Sequence, residues 1–130
     1  MIALTTACAT PLNSIQNREY ATFERKNVLV EEKKPVLGAV LGILPGGGSF
    51  YAGEYTTGVI DLLTWPLSVL WDPVNGYQAS KTFNYDETVL IQKSKKEKEL
   101  VALEDELATD QIDNTEYIIE KRKLDKKYDI

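Results

Sequence analysis

From Val36 to Trp71 the chain is almost continuously apolar or glycine, interrupted in the middle by Pro45-Gly46-Gly47-Gly48-Ser49. No other feature constrains the fold as strongly. As a helix, Val36 to Leu44 would cover only about 14 Å at 1.5 Å per residue. The proline and the consecutive glycines then bend or end it. Phe50-Tyr51-Ala52-Gly53 continues the apolar character, and Glu54-Tyr55-Thr56-Thr57 reads as a polar turn. Gly58 to Trp71 is a second apolar run, closed by Asp72-Pro73. A membrane-crossing helix needs about 20 apolar residues. Neither run supplies them alone, although residues 36–53 come near. A full span and a hairpin that dips into one leaflet are both open at this point.

Two spacings favour packed helices. Gly38, Gly42 and Gly46 recur every four residues and form a smooth stripe that lets another helix approach closely. In the second run Thr57, Asp61, Thr64 and Ser68 fall on one helical face, leaving Val59, Ile60, Leu62, Leu63, Trp65, Leu67, Val69 and Leu70 on the others. An apolar helix with one narrow polar stripe suits a membrane, where the stripe turns to a partner and Leu and Trp meet lipid. The plainer alternative, a helix with its polar edge in water, leaves these large side chains without cover. Asp61 needs a partner, a proton or water at such depth, and Lys33 or Lys34 is the expected partner.

Composition narrows the chemistry. The chain has 130 residues, a net charge of −5 and a pI near 4.8, which argues against a nucleic-acid partner. It has no histidine, so the usual base near neutral pH and the commonest zinc ligand are missing. One cysteine forms no internal disulfide and no thiolate cluster. The triple glycine lacks the lysine and hydroxyl residue of a phosphate loop. No catalytic residue, cofactor, metal or small-molecule substrate is expected.

The N-terminal part, residues 8–35, reads as an extended segment with a short strand at Val28-Leu29-Val30, ended by Pro35, which suits a first helical turn. Lys93 to Ala108 places Leu100, Leu103 and Leu107 at helical spacing. Asp113 and Glu116 form a capping-box pattern for a second charged helix, with Lys126 and Lys127 toward its C-terminal end.

Three resemblances follow from these residues. Leu4-Thr5-Thr6-Ala7-Cys8 resembles the end of a bacterial lipoprotein signal peptide, which implies a lipid on Cys8 and removal of residues 1–7. Met1 to Leu4 is shorter than the apolar region a leader needs, so a start lies upstream or the match is accidental. The glycine-rich stretch with Phe50-Tyr51-x-Gly53, Gly58-Val59-Ile60-Asp61-Leu62-Leu63 and Trp71-Asp72 resembles the TM2 domain, a two-helix membrane hairpin. Ile112-Asp113-x-x-Glu116-Tyr117 with Lys121 and Leu124 resembles the SHOCT module, a short helical element, and implies docking or oligomerisation.

The expected fold is therefore mainly α. It comprises a residual signal end (1–7), an N-terminal extended segment (8–35), a glycine-rich apolar helical hairpin (36–76), a linker (77–92) and a charged helical pair (93–130), the last with coiled-coil character. The expected role is that of an envelope lipoprotein held at membrane lipid, self-assembling or docking on an envelope protein. It would sit at the outer membrane if Cys8 is lipidated and at the inner membrane otherwise. The alternative is an unlipidated inner-membrane two-helix adaptor with both ends in the cytoplasm, which Lys33 and Lys34 favour by the positive-inside pattern.

Overall fold

The computed structural model describes residues 10–129. The chain is mainly helical, and there is no strand among the described residues. It divides into two compact units, one ending at Glu87 and the other starting at Thr88.

The N-terminal segment is not extended. Asn13 starts α1 (Ser14–Arg25) by accepting the N–H groups of Ile15 and Gln16, while the Gln16 side chain accepts the N–H of Asn13. This reciprocal box satisfies donors that a helix start otherwise leaves unpaired. The helix buries Tyr20 and Phe23, and Phe23 packs 6.1 Å from the Tyr85 ring. It ends with Asn27 in the left-handed region (φ 53°), where Val28 N–H reaches Phe23 C=O and Asn27 N–H reaches Glu24 C=O.

Val28 to Val30 form no strand, and there is no strand elsewhere among the described residues. A side chain supplies the sheet-like pairing just downstream. The Asn84 amide accepts from Lys33 N–H at 2.9 Å and donates to Lys33 C=O at 2.6 Å. Lys33 Nζ donates to Tyr51 C=O at 2.9 Å and lies 5.3 Å from the ring centres of Tyr51 and Phe83. Lys33 is thus spent on a carbonyl and two aromatic faces and does not reach Asp61.

Pro35 opens α2 (Pro35–Leu41), which the Gly42-Ile43-Leu44-Pro45 turn ends. Gly46, left-handed at φ 69°, leads into α3 (Gly47–Ala52), and α4 (Tyr55–Leu63) follows. A 3-10 turn, Leu67–Leu70, precedes α5 (Asp72–Ala108). The second apolar run is therefore not one helix, and its four-residue polar stripe does not survive as one face. Helix α4 stops at Leu63, and Thr64 is exposed with its hydroxyl donated back to Ile60 C=O at 2.8 Å.

These breaks overturn the expectation of a transmembrane helix. Among the described residues no helix is long and apolar enough to cross a membrane. Helix α5 has the length, at 37 residues, but its charged composition disqualifies it. Cys8 and residues 1–7, on which the lipoprotein, signal and palmitate reading rests, lie outside the described residues, and that reading is left without support. Residues 77–92 are no linker either, being part of α5.

In the second unit α5 ends through the same device as α1. Asp110 takes the left-handed conformation (φ 56°), Gln111 N–H reaches Glu106 C=O and Asp110 N–H reaches Leu107 C=O. Asp113 then caps α6 (Asn114–Tyr128), and Glu116 returns a bond to the Asp113 N–H. Lys127 pairs with Glu99 at 2.6 Å and Lys96 with Asp125 at 2.8 Å, while Leu124 is buried.

Candidate functional site

The unusual chemistry of the molecule lies inside residues 35–76. The buried residues of this stretch are Gly38, Gly42, Gly46, Gly48, Ser49, Ala52, Thr57, Gly58, Asp61, Ser68, Asp72 and Gly76. Ala52 is the largest apolar side chain among them, and everything else is glycine or polar. A small helical domain ordinarily buries Leu, Ile, Val and Phe.

Glycine lets the backbones meet. A Cβ on Gly38 would lie 2.4 Å from the Gly76 carbonyl oxygen, and one on Gly76 would lie 2.4 Å from the Gly38 oxygen and 2.7 Å from Gly48 Cα. On Gly42 it would lie 2.4 Å from Pro73 N. Helices α2 and α3 and the start of α5 therefore cross with no side chain between them. Gly46 belongs to a different contact, backing onto the Gly58 carbonyl, and its positive φ sets the bend into α3. The three glycines of the sequence stripe thus meet two separate partners: Gly38 and Gly42 face α5, whereas Gly46 faces α4.

At this crossing two carboxyls meet. Asp72 accepts the N–H of Ser49 at 3.0 Å and of Gly48 at 3.3 Å. These are first-turn donors of α3, which has no side-chain cap of its own, so Asp72 caps α3 from another helix. Asp61 accepts the indole N–H of Trp71 at 2.6 Å. The Ser49 hydroxyl lies between the carboxyls, 2.7 Å from Asp72 Oδ1 and 2.8 Å from Asp61 Oδ2. Both aspartates are 0% exposed and Ser49 is 1% exposed. Burial, and next the charge of Asp61, hold the Asp72 carboxyl above its ordinary range, against the bonds from Ser49.

Of the residues singled out in sequence, Thr57, Asp61 and Ser68 lie inside, and Thr64 lies outside. Ser49, Trp71 and Asp72 complete the network but carry no local signal of doing so. Ser49 reads as part of a flexible glycine loop, and Asp72 as the end of an apolar run. Their meeting depends on 12 and 23 residue separations. Among the described residues no group of three or more His, Cys, Asp or Glu side chains could hold a metal ion.

The exterior of the same stretch is the converse of its interior. Val36, Val40, Ile43, Leu44, Tyr55, Val59, Leu62, Leu63, Trp65, Leu67, Leu70 and Val74 are exposed, with Leu63 at 77% and Leu70 at 78%. Oil lies outside and hydrogen bonds lie inside. No protein family, curated protein or solved structure matches the chain.

Proposed function

We propose that this protein is a non-catalytic anchoring and interaction protein whose residues 35–76 seat their apolar exterior in a lipid surface without crossing it. The observation that carries this reading is the inversion itself. A unit whose buried set is glycine, serine, threonine and aspartate, and whose outward set is Leu, Ile, Val and Trp, gains little from burial in water. In lipid, by contrast, polar groups must be paired internally and close backbone contacts replace hydrophobic driving force. Each large aliphatic side chain moved out of water contributes about 1.5–3 kcal/mol. Trp65 suits the headgroup level, where an aromatic ring keeps one polar edge wet. The short apolar helices fit a shallow insertion, and their grouping as a membrane hairpin is what the TM2 resemblance implies. The charged helices then serve as a docking pair through exposed Val101, Ile118 and Ile119, in keeping with the SHOCT resemblance.

Flotation of the full chain with phosphatidylcholine vesicles tests the reading. The wild type is expected to float with the vesicles, and the triple variant Leu63→Glu, Leu67→Glu, Leu70→Glu to stay at the bottom with unchanged helix content. Wild-type protein that stays behind while forming concentration-dependent dimers would replace lipid by a second copy of the chain as the occupant of this face.

A further inference from the structure

We propose that Asp61, Ser49 and Asp72 share one proton in the closed unit, and that removing this proton unlocks the junction of α3, α4 and α5. The argument starts from counting hydrogens. The Ser49 hydroxyl lies within hydrogen-bond distance of Asp72 Oδ1 and Asp61 Oδ2, yet it owns one hydrogen. It donates to one carboxyl, and the other contact needs a hydrogen on the carboxyl itself. Trp71 Nε1 bonds Asp61 Oδ1, Ser49 N bonds Asp72 Oδ1 and Gly48 N bonds Asp72 Oδ2, so none of these donors serves the second Ser49 contact. A closed network of this geometry therefore carries one acidic proton and one negative charge, held by the pair.

The surroundings offer no substitute for that proton. Helix α2 and the 3-10 turn carry no titratable side chain. On α3 the titratable group is Tyr51, whose hydroxyl accepts from Lys34 N–H, away from the carboxyls. On α4 it is Tyr55, exposed and with its ring tilted against Phe50, besides Asp61 itself. On the packed part of α5, Tyr77 is exposed and Lys81 donates to Asn17. Among the described residues neither carboxyl has a cationic partner. Losing the shared proton thus leaves two like charges buried side by side with one hydroxyl between them, and a buried pair of carboxylates cannot both ionise without cost. Burial raises Asp72 in the same direction. A folded-state value above the unfolded one contributes stability that is present at low pH and lost as pH rises through the folded value. The lock closes in acid and loosens toward alkali. This inference concerns the interior and holds whatever covers the exterior.

The test is a pH titration of the full chain labelled with ¹³C at the aspartate carboxyls, read by NMR. It is paired with Trp71 emission in a Trp65→Phe background. Two coupled carboxyl resonances are expected, one with a midpoint clearly above the ordinary carboxylate range, and Trp71 emission should shift at the same midpoint. Asp61→Asn or Asp72→Asn keeps a neutral donor in place and is expected to abolish the upper midpoint and flatten the Trp71 response. Wild-type carboxyls that all titrate in the ordinary range would overturn the proposal, and so would an emission transition that persists in both Asn variants. The wild-type NMR result decides the matter even where a variant fails to fold.

Discussion

The second unit and residues 35–76 of the first solve the burial problem in opposite ways. From Thr88 onward the arrangement is the familiar one. Leu124 is buried, Leu100, Leu103 and Leu107 are partly covered, and the charges of Glu99, Lys96, Asp125 and Lys127 face water and pair there. Between residues 35 and 76 the carboxyls are inside and the leucines outside. One chain thus holds two regions that suit two solvents. The contrast also separates two sources of cohesion. In the second unit side chains touch side chains, and the ion pairs are exposed and weak. In residues 35–76 backbone touches backbone at Gly38, Gly48 and Gly76, and hydrogen bonds to Asp72 and Asp61 tie the crossing together.

The contrast can be broken first at the glycine crossing. Gly38→Val drives a branched side chain against the Gly76 carbonyl and Ser80, and is expected to cost about 3 kcal/mol or more. Both tryptophans lie in the first unit, so denaturant melts followed by fluorescence should collapse while α6 keeps its amide protection. Asp72→Ala comes next. It strands the N–H groups of Gly48 and Ser49 in a buried place, for an expected loss of about 2–3 kcal/mol in the same melts.

A pH series sharpens the comparison, because the two units respond with opposite sign. Asp72 is raised, so its contribution fades as pH rises through its folded value. Glu99 is lowered by its bonds to Lys127 and Tyr128, and Asp125 by its bond to Lys96. Their contributions are present above the unfolded carboxylate values and fade as pH falls through the lowered ones. Amide protection factors compared across pH should therefore decline toward alkali at α3 and α4, and toward acid at α6. The acid effect should be the smaller one and should shrink further in high salt, since those ion pairs are exposed. The smallest expected change is a gain. Asp110→Gly relieves a left-handed residue at the end of α5 and should stabilise the second unit by roughly 0.5 kcal/mol, seen as a small rise in its melting midpoint.

How much of this could be read from the sequence depends on the range of the contact involved. The Asp113–Glu116 box and Pro35 at a first turn are local signals and form as the spacing suggests. Asn13 and Gln16 carry the same spacing, and it predicts α1 where the mixture of polar and apolar residues reads as extended chain. Residues 77–92 look like a linker because their polar face and their aromatic face serve different neighbours. Asn84 grips Lys33, while Tyr85 donates to Glu19. The burial of Asp61 follows from its place in an apolar run, but its partner does not. Lys33, one of the two expected partners, is engaged by Tyr51 and Phe83, and the partners found are a serine hydroxyl and an indole. Periodicity also overshoots at Thr64, since it assumes a helix that Pro66 does not allow to continue.

The glycine crossing has a consequence for how this chain can vary. Its geometry is fixed by atoms that are absent, namely the methyl groups missing at Gly38, Gly42, Gly48 and Gly76. A saturation scan in water would find the bulky residues Leu63 and Leu70 freely exchangeable and the four smallest residues immovable. The information that specifies the unit is written mostly in positions with no side chain to recognise.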